Sequence, residues 1–167
     1  KRQLDWFEVW MRKHYELTVG GRLGPGACDD KEATVLNRVI RWTPQGIEYE
    51  ADPRQVEKLL QEIELDAEGV KGLVTPSQKP LQHQIEAEQE LPESQHTRFR
   101  GLAARANYLA ADRVDIIYAA KEICRFMAKP SDVALAALKR LGRYLKTSPR
   151  MVFSMPFQTC DAINVYS

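Results

Sequence analysis

Between residues 99 and 146, apolar side chains return at helical spacing in three consecutive runs, and no other stretch of the chain holds so long a period. Phe99, Leu102, Ala103, Ala106, Leu109 and Ala110 form one stripe, and Ile116, Ala119, Ala120, Ile123 and Met127 a second. Lys129-Pro130 interrupts the chain, and Ser131 is placed to cap a third helix striped by Ala134, Ala137, Leu138, Leu141 and Leu145. The many alanines on these stripes predict helices in close approach.

Basic residues recur on the same segments. At about 100° per residue from Lys139, Arg143 falls near 40° and Lys146 near −20°, whereas Leu141 and Leu145 fall near 200° and 240°. The cations therefore stand opposite the buried face. Lys121 and Arg125 repeat the spacing on the second helix, and Arg98 and Arg105 lie one heptad apart on the first. Helices that present cations together suit a phosphate backbone, whose contacts are electrostatic and independent of base sequence.

A net charge of +1 hides this distribution. Residues 47–94 carry 4 Lys and Arg against 12 Asp and Glu, and residues 95–150 carry 12 against 4. The segregation fits either a polyanion partner for the basic part or a basic part that faces the acidic one within the fold. Cys28, Cys124 and Cys160 are odd in number and irregularly spaced, which argues against a disulfide scaffold and suits a reducing, intracellular compartment over secretion. No run approaches 18 apolar residues and KRQLDWFEVW lacks the apolar core of a signal peptide, so no membrane partner is expected.

Upstream, Leu4, Phe7, Trp10 and Met11 predict an amphipathic helix over residues 1–15, packed on a sheet. Gly20, Gly21, Gly24 and Gly26 around Pro25 lack the Lys-Ser/Thr of a P-loop and the spacing of a dinucleotide fingerprint, and read as turns. Cys28, Asp29 and Asp30 have no His or Cys cluster to complete a metal site and read as a solvated loop. Residues 33–43 and 47–51, joined at Pro44-Gln45-Gly46, predict a β-hairpin. Asp52-Pro53 supplies an N-cap and an N1 proline for a helix over 54–63 with Val56, Leu59, Leu60 and Ile63 inward. Residues 64–94 read as an acidic linker with a short strand over 70–74 and solvent-exposed His83 and His96. Residues 151–155 and 162–166 predict a second hairpin. The lack of an initial Met, and an end inside that last strand, are expected of a segment cut from something longer.

The wording of the helical block resembles the Pol polyprotein of copia-type long-terminal-repeat retrotransposons. The residues that carry the likeness are Tyr108-Leu109-Ala110, Arg113-Val114-Asp115-Ile116, Arg125-Phe126-Met127-Ala128-Lys129-Pro130, Ala137-Leu138-Lys139-Arg140, Arg143-Tyr144-Leu145-Lys146 and Tyr166-Ser167, in the family's order and spacing. Weaker likeness extends upstream through Lys13-His14-Tyr15-Glu16-Leu17, the residues from Arg41 to Glu50, and those from Val56 to Leu60. Val114 replaces the family's Pro, Thr147-Ser148-Pro149 its Gly-Thr turn, and Asn37 a Gly.

The resemblance implies an α+β fragment of a reverse transcriptase, the RNA-directed DNA polymerase. Residues 1–63 would be the C-terminal part of the palm, 64–97 an acidic excursion, 98–148 a helical thumb-like region, and 149–167 the connection and first strand of a truncated ribonuclease H domain. The catalytic aspartates would lie outside the fragment, which is then expected to be catalytically silent. The divalent metal, Mg, would belong to the parent enzyme and no cofactor to this piece. An RNA–DNA hybrid or DNA duplex would be gripped by Lys139, Arg143 and Lys146 first, and by Lys121, Arg125, Arg98 and Arg105 second, with the rest of Pol as the other partner. The alternative is a domesticated or stand-alone helical protein-interaction module.

Overall fold

Asp52 accepts a hydrogen bond from the Arg54 N–H at 3.1 Å, and Pro53 stands at the first helical position. In the computed structural model, which describes residues 2–158, the chain leaves a β-sheet for a helical unit at this pair. The elements in order are α1 (Arg2–His14), β1 (Glu32–Val35), β2 (Arg38–Thr43), β3 (Gly46–Glu50), α2 (Pro53–Glu62), a short α3 (Gln82–Glu86), α4 (Glu93–Ala110), a 3-10 turn (Val114–Ile116), α5 (Ile117–Cys124), α6 (Asp132–Thr147) and β4 (Val152–Pro156). The sheet is antiparallel in the order β1-β2-β3-β4, so the fold is α+β and the helices from α2 to α6 sit between two strands that are neighbours.

The predicted stripes form the core. Phe99, Leu102, Ala103, Ala106, Leu109 and Ala110 of α4 are buried with Ile116, Ala119, Ala120 and Ile123, and with Ala134, Leu138, Leu141 and Leu145 of α6. Val56, Leu59 and Ile63 join the same cluster, so α2 packs with the three later helices. Ser131 caps α6 as predicted, its Oγ accepting from the Ala134 N–H at 3.2 Å. After α5 the chain turns through Phe126 and Met127, and Arg100 ties that turn to α4 by donating to the Met127 carbonyl at 2.7 Å.

Pairing register puts Ile40, Trp42, Ile47, Tyr49, Phe153 and Met155 on one face of the sheet and Arg41, Glu48 and Ser154 on the other. At its edge the apolar face meets the end of α4 through polar groups: Tyr49 Oη donates to Asp112 Oδ1 at 2.5 Å, and Arg38 Nε to Asp112 Oδ2 at 2.8 Å.

Several expectations are corrected. Helix α1 forms, but none of its residues is buried; its polar side is held by Arg22, which pairs with Asp5 and Glu8, instead of its apolar side being held by a sheet. The strand over 33–43 is two strands, because Leu36 and Asn37 take φ of 50° and 65° and turn the chain back on itself. Residues 70–74 form no strand, since they run along α6 and not beside another strand. The linker contains α3 and the first residues of α4. His96 is half-buried, bonded to the Leu91 carbonyl at 2.8 Å. Strand β4 pairs with β3; the predicted partner over 162–166 lies outside the described residues.

A candidate nucleic-acid interface on the helical unit

Helix α6 turns Leu138, Leu141 and Leu145 inward, and the three-residue and four-residue steps from Lys139 then carry its cations outward. Lys139 is exposed, at the rim of a groove lined by Ile63, Phe99, Leu102 and Leu135, with Arg98 on the same groove. Arg143 and Lys146 are half-buried under residues 64–75, which cross the end of α6 as a strap. Arg143 Nε donates to the Lys71 carbonyl at 2.6 Å, and Lys146 Nζ to the carbonyls of Leu65 at 3.1 Å and Ala67 at 2.5 Å.

Three of the four remaining predicted cations meet carboxylates. Arg98 donates to the Glu62 carbonyl at 2.6 Å and to Glu64 at 2.8 Å. Arg105 points at α2, bonding Gln55 at 3.1 Å and Glu62 at 2.7 Å. Arg125 is exposed and pairs with Glu122 one turn earlier, and Lys121 is exposed on α5. The structure thus sets Lys139, Arg143 and Lys146 along α6 from its middle to its last turn, with Arg98 on the groove beside Lys139, and places Arg105, Lys121 and Arg125 elsewhere.

The acidic middle and the basic block do face each other, but through two kinds of contact. On the α4 side the acceptors are Glu62 and Glu64, and charge is cancelled. On the α6 side they are backbone carbonyls and the Thr75 hydroxyl, to which Arg140 Nη2 donates at 2.7 Å. Neutral acceptors satisfy the donors without removing their charge. Arg140 escaped the sequence reading because it sits 100° from Lys139, off the counted line.

Sequence reasoning also missed the polar joints at either end of the helical unit. Arg113 is 1% exposed and forks onto Asp115 at 2.9 and 2.7 Å, with further bonds to the carbonyls of Ser148 and Pro149. Tyr144 Oη donates to the same Asp115 at 2.8 Å. Burial works against the Asp115 charge, yet these donors hold its carboxyl below the usual range. Glu50, the last residue of β3, accepts from Arg150 at 2.9 Å and Arg41 at 2.8 Å. The Arg150 hydrogen bond, against the cost of burial and with help from Arg41, brings Glu50 down to about 2.

Among the described residues no group of His, Cys, Asp and Glu is placed to hold a metal ion, and no helix is long and apolar enough to cross a membrane. Asp29 and Asp30 accept backbone N–H groups of their own loop, from Gly26 at 2.7 Å and Arg22 at 3.1 Å.

Comparison with known proteins gives two matches of one kind. The chain is 43% identical over 53 residues to the retrovirus-related Pol polyprotein from transposon RE1 of Arabidopsis thaliana, which covers 32% of this chain and 4% of that protein. It is 33% identical over 79 residues to the corresponding polyprotein from transposon RE2 of the same plant, covering 47% of this chain and 5% of that protein. No protein-family model and no solved structure matches. The chain spans a small part of the length of these relatives, and over a third to a half of itself it is similar to transposon Pol polyproteins, consistent with a fragment of copia-type Pol.

Proposed function

We infer that this segment serves a retrotransposon reverse transcriptase by gripping the template-primer duplex through its phosphates. The observation that carries the reading is the line of cations on α6, Lys139, Arg143 and Lys146, none of which pairs with a carboxylate among the described residues; Arg143 and Lys146 bond neutral backbone carbonyls instead. Similarity to transposon Pol polyproteins supplies the context in which a duplex is the natural polyanion. In this reading residues 98–148 act as a thumb, 1–63 belong to the palm, and 149–167 lead into ribonuclease H. The remainder of Pol is the other partner, and the setting is intracellular. In the same reading, and from the family resemblance alone, the Mg of the parent enzyme would be held by residues outside this segment. Chemistry happens there; this segment contributes affinity.

The test is binding of the 167-residue chain to an RNA–DNA hybrid across salt concentrations. Each lost phosphate contact lowers the log–log salt slope by about 0.9 on a B-form duplex. Changing Lys139, Arg143 and Lys146 together to Glu is expected to weaken binding at least tenfold and to cut the slope by about two to three. An unchanged affinity and slope, with helical circular dichroism intact, would remove the phosphate assignment.

A further inference from the structure

The strap over α6 is built in two halves. Residues 62–67 are anchored: Ile63 is buried, Leu65 packs on the core, and both press on Gly142, where a Cβ would lie 2.2 Å from the Ile63 side chain. Glu62 and Glu64 add their ion pairs to Arg105 and Arg98. Gly69, at φ +90°, then turns the chain in a conformation that other residues rarely take. Residues 70–75 return along α6 with no carboxylate and no buried side chain. They are held by the Lys71 carbonyl on Arg143, the Leu73 N–H on the Arg143 carbonyl at 3.1 Å, and the Thr75 hydroxyl on Arg140. Arg140, which bonds Thr75 through Nη2, has its Nε buried without a hydrogen-bond partner among the described residues.

We propose that residues 70–75 are a displaceable cover, and that a nucleic-acid backbone binds by taking Arg140 and Arg143 from it. The inference rests on the phosphate reading given above. A guanidinium bonded to a carbonyl faces only a dipole, whereas a phosphate oxygen adds an opposite full charge and bidentate geometry to the same N–H groups, so a phosphate outcompetes a carbonyl for them. Exposed Lys139, one turn before Arg143, offers the first phosphate a foothold. Arg140 gains an acceptor for its orphaned Nε, and Lys146, whose carbonyl partners lie in the anchored half, offers its charge to the backbone without being released. Displacement costs the cover its contacts, so apparent affinity is the intrinsic affinity scaled by the open fraction.

Gly72 gives a direct handle. A Cβ built there lies 3.3 Å from the Thr147 Cβ, close to the roughly 3.8 Å of a disulfide. Gly72→Cys with Thr147→Cys, in a chain whose three native cysteines are serines, would staple the cover to α6. Hybrid binding is measured at low salt with the staple oxidised and then reduced. The expected result is at least tenfold weaker binding when oxidised, restored by reductant. Equal binding in both states overturns the cover and leaves the phosphate reading standing; no binding in either state removes both. Gly72→Val tests the opposite sign, because its side chain meets Thr147 Oγ1 and wedges the cover off. It should bind about threefold tighter than the parent, and parental or weaker binding by a folded Gly72→Val chain counts against the proposal.

Discussion

Arg113 is the residue whose sequence context and structural role lie furthest apart. In the sequence it is one letter of a family-like motif. In the fold it is a buried cation whose fork, stem and neighbours tie the 3-10 turn, Tyr144 of α6 and the exit toward β4 into one network. Lys could not replace that planar fork. Burial of charge is not encoded by periodicity, and so Arg113 could be read only as surface. Glu50 poses the same difficulty at the other joint, where it ends an alternating strand and looks solvent-facing. Its folded-state carboxyl sits at about 2 against an ordinary value near 4.5, so the stabilisation is complete above the ordinary value and is lost as pH falls toward 2. At neutral pH this amounts to roughly 3 kcal/mol. Glu50→Gln should therefore lower the urea midpoint at pH 7 and leave it nearly unchanged near pH 2, measured by tryptophan fluorescence at both pH values.

At the scale of elements, legibility followed the period. The stripes of α4, α5 and α6 were visible because five or six spaced apolar residues outweigh any local exception, and Asp52-Pro53 was visible because capping chemistry is local. The hairpin between β1 and β2 was hidden: Leu is a poor signal for a turn, and Asn37 alone did not announce it. Leu36 is 76% exposed and left-handed, so its side chain contributes little packing and its backbone is strained. Leu36→Asn with Asn37→Gly should stabilise the hairpin by about 1 kcal/mol, read as a rise in melting temperature. The apolar stripe of α1 was legible too, but a stripe does not name what it packs against, and Trp6, Phe7 and Trp10 remain exposed. For the candidate interface, spacing identified the outward face of α6. It could not reveal the strap, whose hold on that face uses backbone carbonyls that every sequence possesses.

At the scale of the whole molecule, the acidic middle and basic helices suggested two possibilities, a polyanion partner or internal pairing, and the fold displays internal pairing over part of the basic block. Part of the acidic segment pairs with Arg98 and Arg105, while among the described residues no carboxylate pairs with the cations of α6, which the strap roofs through neutral acceptors. Strands β3 and β4 are neighbours although Glu50 and Arg150, which bridge them, are 100 residues apart. That separation has a kinetic meaning. Contacts within the helical unit are local by comparison and can form early, whereas pairing β3 with β4 in an unfolded chain requires closing a loop of about a hundred residues. Once the helices have packed, Arg113 holds the Ser148 and Pro149 carbonyls, and Asp52 and Arg150 line one small cavity, so the remaining closure is short. Arg150→Met should accordingly speed unfolding severalfold in stopped-flow denaturant jumps while changing the refolding rate less than twofold. During synthesis the same order applies: a nascent chain that has not yet exposed residue 150 can hold a packed helical core beside a three-stranded sheet, with β3 as an open edge until its last neighbour arrives.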